Sequence, residues 1–347
     1  MTFRKLVLFL ISFVCQFALA QNDSIQYLQE VKVSDTKLKN FSNTQSVQVL
    51  TNSIINKNQA SLTSLLNYNT VIYFKENGLG MVSSPSFRGT TAQQTAVIWN
   101  GININSQLLG QSDFNTLTTR DFKDITVRAG GGSVIYGSSA IGGSIHLNNE
   151  LDFTDKFENN LRVNYGSFNT YGVNYKINLS DEKFSFQASI SRNASDNDYE
   201  YVDSDWKNLN GQYYNTSLNT TFGYKINNNN YLKFYSQFFD SERHFSVIFP
   251  SEVKTKYRDF NTRNMLEWSS FFGRFTSKVK MAALSEKYKY FANIASDSHT
   301  FGEVKTYVGK YDLAFDVNND IKLNTVLDYT RNDGNGSGIR SEKRDIA

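Results

Sequence analysis

From residue 151 onward the chain alternates apolar and polar residues with a period of two, in one segment after another. Leu161, Val163 and Tyr165 are interleaved with Arg162 and Asn164, and Val173, Tyr175, Ile177 and Leu179 with Asn174, Lys176 and Asn178. Phe184, Phe186, Ala188 and Ile190 continue it around Ser185, Gln187 and Ser189, and it returns over 275–281, 311–317 and 321–329. Successive side chains of a strand point to opposite faces, so this period places one face in an apolar medium and the other in water. Strands of about ten residues with Tyr and Phe near their ends, separated by polar loops, match a membrane-spanning antiparallel barrel with aromatic girdles at both interfaces. A soluble β-sandwich or solenoid with one wet face is the alternative for this half taken alone.

Composition narrows the choice. Aromatic residues make up 14% of the 347, whereas proline occurs twice, at Pro85 and Pro250; this suits long sheets better than a helical enzyme core. A mean hydropathy of −0.45 excludes a bundle of membrane helices. With 36 basic and 33 acidic residues the charge is nearly balanced, which gives no electrostatic reason to expect nucleic acid as a partner. The single cysteine, Cys15, leaves no disulfide framework.

Residues 1–20 read as a cleaved secretory signal: Arg4 and Lys5, an apolar run from Leu6 to Val14, then Ala18 and Ala20 as an A-x-A site. Residues 21–150 follow a different grammar from the rest. Ser61 is placed to cap a short helix carrying Leu62, Leu65 and Leu66. Residues 71–74 and 125–129 read as strands, and Asn100-Gly101 between 95–99 and 102–104 is the strongest short hairpin signal. Catalytic sets are absent: His146, His244 and His299 are far apart, and no H-E-x-x-H, G-x-S-x-G or Cys/His arrangement occurs. We therefore expect no enzyme activity.

Several ordered motifs in this segment resemble the plug of TonB-dependent outer-membrane transporters, closest in character to the cobalamin-type receptors. They are Leu65-Leu66, Arg88-Gly89, Asn100-Gly101, then Ile125, Val127 and Gly130, and finally Tyr136-Gly137, Ala140, Gly142-Gly143 and Ile145. Thr126 stands where the family often has Glu, and Gly131 where Pro often follows the glycine. The resemblance implies an α+β plug followed by antiparallel transmembrane barrel strands, part of a barrel of the 22-stranded type. It divides the chain into a signal (1–20), a TonB-box segment and linker (21–40), a plug (41–150) and the N-terminal part of the barrel (151–347). It implies active import of a scarce cobalamin-like or ferric siderophore ligand across the outer membrane of a Gram-negative-type cell. An exported surface-binding protein with a soluble β domain is the alternative.

The same resemblance places a TonB box at Leu28, Gln29, Glu30, Val31, Lys32, Val33 and Ser34, the segment gripped by a TonB-type energy-coupling protein. An extended alternating segment of this kind can add to a partner's sheet edge. Ligand is expected at two apical plug loops through Ser83, Ser84, Asn105, Gln107, Leu109, Gln111 and Ser112, with Met81 and Leu108 as further apolar contacts. Neither loop carries Arg or Lys, which favours a neutral, amide-decorated ligand unless barrel loops supply cations. Arg88 and Arg128 are expected to pair with carboxylates of the barrel wall. No cofactor is expected, although the alternating carboxylates Asp196, Asp198, Asp203 and Asp205 form a weak Ca²⁺ candidate. The other expected partners are the imported small molecule and outer-membrane lipid. At roughly 20 to 25 residues per strand and loop, residues 151–347 supply about eight strands. Eight strands are too few to enclose a plug, so the barrel is expected to be incomplete. An unpaired edge is expected after about Arg331, and the polar, Gly-rich end from Asn332 reads as a loop cut open.

Overall fold

The computed structural model describes residues 45–76, 80, 83–318 and 321–347. The secretory signal, the segment Leu28 to Ser34 and Met81 lie outside the described residues.

The plug is built on a five-stranded sheet in the order β1, β6, β7, β4, β5. Its strands are β1 (Val47–Leu50), β4 (Thr95–Trp99), β5 (Ile102–Asn103), β6 (Asp124–Ala129) and β7 (Gly143–Asn148). A separate two-stranded ribbon pairs β2 (Tyr73–Glu76) with β3 (Ser83–Ser86). Only β4 and β7 run parallel; the other pairs are antiparallel. Two short helices, α1 (Asn52–Lys57) and α2 (Leu62–Asn69), lead into this sheet, and α3 (Ser133–Tyr136) joins β6 to β7. The Ser61 hydroxyl accepts from Ser64 N at 3.2 Å, and α2 buries Leu62, Leu65 and Leu66 completely. Asn100 and Gly101 both have positive φ, 45° and 89°, the two-residue turn that the Asn-Gly pair is suited to. At Gly143 a Cβ would lie 2.7 Å from the Arg128 carbonyl oxygen and 2.9 Å from the Phe87 ring. Only glycine allows β7 to approach β6 this closely.

Residues 156–346 form one antiparallel sheet of ten strands, each paired with its neighbours in sequence. They are β8 (Lys156–Gly166), β9 (Thr170–Ser180), β10 (Phe184–Ser195), β11 (Tyr213–Asn227), β12 (Asn230–His244), β13 (Lys256–Phe272), β14 (Phe275–Phe291), β15 (Thr300–Asp316), β16 (Lys322–Gly336) and β17 (Ile339–Ile346). β8 and β17 are the edges of the sheet in this chain. The expectation of eight strands is corrected to ten, because turns as tight as 228–229 and 273–274 shorten the repeat. The C-terminal stretch is likewise a strand pair and not a loop: β16 continues through Asn332 and β17 pairs back on it.

The sheet is apolar outside and polar inside. Leu161, Leu218, Phe234, Leu266, Trp268 and Met281 are exposed, whereas Ser189, Asn219, Gln237, Asn261, Arg263 and Glu267 are buried on the concave face. A soluble sandwich would bury the first set; a wall facing lipid exposes it. An apolar patch on the concave face (Tyr235, Met265, Ala282, Val308) is continuous with the plug's own core. There the Trp99 ring meets Tyr235 edge-on at 6.2 Å. Long loops (196–212, 245–255, 292–299) lie at one end of the sheet, together with the short turns 167–169 and 337–338, whereas the connections at the other end are all short, the asymmetry of extracellular loops against periplasmic turns.

Candidate functional site

The plug is held to the wall by charges that originate in the wall. Arg243 on β12 bonds the Asp113 carboxylate of the plug, and its Nη2 lies 3.4 Å from Asp259 on β13. Lys280 donates to the Asn100 carbonyl at 2.6 Å and Lys310 to that of Gly101 at 3.4 Å, so two barrel lysines clasp the hairpin turn. Arg162 on β8 bonds the Asn56 carbonyl. The expected plug arginines do not do this work. Arg88 is exposed in a turn at φ 48°. Arg128 is buried inside the plug, 5.6 Å over the Tyr136 ring. The expected polarity is reversed because lumen-facing strand positions carry the long cations, while the plug offers Asp113, Asp121 and turn carbonyls.

Asp121, in the 3₁₀ turn Thr119–Asp121, is fully enclosed at this boundary. It accepts from Ser217 and, at 3.1 Å, from Gln237 Nε2. Burial pushes its carboxyl up to about 6, against the pull of those two hydrogen bonds and of Lys176 and Arg263. A raised carboxylate pKa means that the docked state binds the proton more tightly, so docking strengthens as pH falls through 6 and weakens above it. The span corresponds to on the order of 3 kcal/mol. Protection factors around residues 119–125, corrected for the intrinsic pH dependence of amide exchange, should rise between pH 7.5 and pH 5, roughly following this proton uptake, and Asp121→Asn should remove that rise. A lower protection factor at the lower pH in the native protein would reverse the assignment.

Two cavities lie between plug and wall toward the long-loop end. The smaller, about 110 Å³, is bordered by Ser83, Leu109, Gln111 and Ser112 of the plug and by Tyr257 and Tyr288 of the wall. It therefore brings together four of the seven residues expected to meet ligand. Ser83 and Ser112 are themselves buried, Ser83 bonding Thr63 at 2.7 Å and Ser112 the Ile104 carbonyl at 3.4 Å. Asn105 is structural: its side chain accepts from Val97 N and donates to the Thr95 carbonyl, pinning the loop to β4. Gln107 is exposed and Ser84 lies in the β3 ribbon; neither borders these two cavities. The lining is not neutral, since Asp113, Arg243, Asp259, Arg263 and Glu286 also border this space. Plug loops read by themselves show only Asp113 of this set, because the other four charges come from strands β12 to β14.

The larger cavity, about 580 Å³, lies between the junction of α1 and α2 and strands β8 to β12. Arg120, from the 3₁₀ turn, reaches over to the carbonyls of Ile55 (2.6 Å) and Asn58 (2.5 Å). Burial and the neighbouring charge of Arg162 lower its pKa to about 10. Sequence reading missed Arg120, Arg162 and Arg243 as site residues. For Arg162 and Arg243 the available signal was a basic residue at an inward position of a wall strand; Arg120, in a turn, offered none. Asp196, Asp198, Asp203 and Asp205 do not converge: no group of three or more His, Cys, Asp or Glu able to hold a metal occurs among the described residues. Asp196 instead accepts from Asn169, and Asp203 occupies a turn at φ 57°. The three histidines stay apart, with His146 buried in the plug, His244 ending β12 and His299 in an outer loop.

Residues 39–144 match the TonB-dependent Receptor Plug Domain. The chain is 31% identical over 135 residues to the Vitamin B12 transporter BtuB of Vibrio vulnificus, an alignment covering 35% of this chain and 22% of that protein. Among solved structures it is similar to the siderophore receptor PirA from Acinetobacter baumannii, with a TM-score of 0.69 at 12% identity over 88% of this chain and 50% of that one. It is also similar to FpvA of P. aeruginosa, with a TM-score of 0.68 at 13% identity over 85% and 43%. The chain thus spans about half the length of these structures and its aligned segment about a fifth of the curated relative. Plug motifs and plug sheet coincide with this match, so residues 39–144 are a TonB-dependent receptor plug domain, and the inside-out antiparallel wall that follows has the fold of part of such a receptor's barrel.

Proposed function

We propose that this protein imports a scarce ligand, a cobalamin-like corrinoid or a ferric siderophore, across the outer membrane with energy delivered by a TonB-type protein. The observation that carries the reading is the pair of cavities between plug and wall at the long-loop end. A ligand seated there touches both the fixed wall and the body that must move. The plug's hold on the wall is polar and hydrogen-bonded at its margins, an interface that can rearrange without exposing a large dry surface. The protein performs no chemistry on its cargo. It is exported with cleavage after Ala20, its outward apolar face contacts outer-membrane lipid, and residues 28–34 are the coupling segment. The soluble-domain alternative is disfavoured by the exposed apolar band of the sheet. The test is uptake of labelled cyanocobalamin and of a panel of ferric siderophores by cells carrying or lacking the intact protein and the coupling protein. Uptake of one ligand that requires both supports the reading; uptake of none, or uptake indifferent to the coupling protein, overturns it.

A further inference from the structure

A third cavity, about 450 Å³, lies between the plug and strands β8 to β10, toward the short-turn end. Its wall side is formed by the halves of β9 and β10 that adjoin the turn 181–183 and by the first residues of β8. Amides and hydroxyls dominate the lining, with Asn160, Asn174, Asn178, Ser185 and Gln187 from the wall and Asn52 from α1. Asn56 and Arg120 border both this cavity and the larger one. They are therefore the partition between two spaces on the same side of the plug, one toward each end of the wall. Two guanidiniums hold that partition. Arg120 donates to the carbonyls of Ile55 and Asn58 and, at 3.3 Å, to Asn56 Oδ1, while Arg162 of β8 bonds the Asn56 carbonyl. A cation suits the exposed carbonyls at a helix C-terminus. A helix of six residues has little stability of its own, so the place of α1 depends on these bonds and on the burial of Ile55.

The opposite side of the plug is fastened more firmly. β1 is one edge of the plug sheet and β5, the second strand of the hairpin, is the other. Lys280 and Lys310 clasp the hairpin turn, and Glu267 fixes Lys280 at 3.3 Å and Lys233 at 3.2 Å. Trp99 and Ile102 of the hairpin join the apolar patch of β12 to β15. β1, by contrast, pairs with β6 over four residues and leads directly into α1. The coupling segment precedes β1 in the chain, so a pull on it reaches β1 and α1 before any other described element of the plug.

We propose that cargo passes between α1 and strands β8 to β10, that Arg120 and Arg162 close this passage by holding the end of α1 across it, and that the β4–β5 hairpin stays with the wall while the passage opens. This rests on the import reading and assigns its route and its gate. Tension on β1 draws α1 off the two arginines, and the two cavities become one polar passage.

Single cysteines in the intact protein report the route. Ser185→Cys places a thiol in the third cavity, and Ala282→Cys places one in the apolar patch on the hairpin side. Labelling by a charged thiol reagent added outside is compared in cells with and without the coupling protein, given cyanocobalamin and ferric citrate in turn. Ser185→Cys should label faster when the coupling protein is present, and Ala282→Cys should not change. Arg162→Gln should raise the labelling of Ser185→Cys about tenfold in cells without the coupling protein, since one charge-assisted hydrogen bond on the gate is lost. Faster labelling of Ala282→Cys under coupling, or labelling of Ser185→Cys indifferent to the coupling protein, would overturn the route. A response of Ser185→Cys to coupling but none to Arg162→Gln would overturn the gate. The comparison with and without the coupling protein changes no arginine, so it decides the route even if Arg162→Gln fails to fold. Coupled uptake with Ser185→Cys unaffected would remove this proposal and leave import standing. Coupling-dependent labelling of Ser185→Cys, with no uptake of any ligand in the panel, would do the reverse.

Discussion

Val31→Pro or Val33→Pro will abolish energised uptake while leaving ligand binding at the cell surface nearly intact. The argument is one of chain chemistry. Residues 28–34 alternate Leu28, Glu30 and Lys32 with Gln29, Val31 and Val33, a pattern that an extended segment presents to a partner's sheet edge. Main-chain hydrogen bonds carry the load in such a pairing, and they shear together under a pull along the strand. Proline removes one donor and fixes φ, so a single substitution breaks the ladder in the middle. Binding should survive, because both ligand cavities are lined by residues from 56 onward. Whole-cell binding and uptake measured on the same variants separate the two effects. An equal loss of both would place Val31 and Val33 in the plug's fold and not in its coupling.

Local chemistry made much of the fold legible. The Ser61 cap, the Asn100-Gly101 turn and the β6 strand are dictated by neighbouring residues, and the structure places them within a residue or two of where the chain suggests. Residues 71–74 were displaced to Tyr73–Glu76, since β2 takes its register from pairing with β3 and not from its own apolar run. Strands β11 to β13 were the least visible. On β12 the inward positions mix Tyr235 and Phe239 with Lys233, Gln237 and Arg243, because that face meets both the plug core and its polar margin. Alternation is blurred wherever a wall packs against another body. The site was half legible for the same reason. Loop residues such as Ser83, Leu109 and Gln111 can be found from their place in the plug, but Arg120, Arg162 and Arg243 acquire their role only when strands distant in sequence close around it.

Arg243 is also the residue whose loss should cost the most. It is buried on β12 between Asp113 of the plug and Asp259 of β13, with the Tyr257 ring 5.6 Å away. Asp259 is buried too, and apart from Arg243 its described hydrogen-bond partner is the Ser241 hydroxyl at 3.3 Å. Arg243→Leu therefore strands a buried carboxylate without its counter-charge, which costs about 3 to 5 kcal/mol. Asp113→Asn is a smaller change, since Asp259 still faces the guanidinium and the amide oxygen can still accept; about 1 kcal/mol is expected. The two variants should also differ in kind. Asp113→Asn should speed hydrogen exchange in the plug loop 105–113 alone, whereas Arg243→Leu should speed it there and along β12 and β13. Adding Asp259→Asn to Arg243→Leu should recover a large part of the loss, because the stranded charge is then gone. If Arg243→Leu and Asp113→Asn instead cost the same, and Asp259→Asn rescues nothing, then the pair spanning the boundary carries the energy and the wall pair carries none. Arg243 would then be a latch on the plug with no part in building the wall.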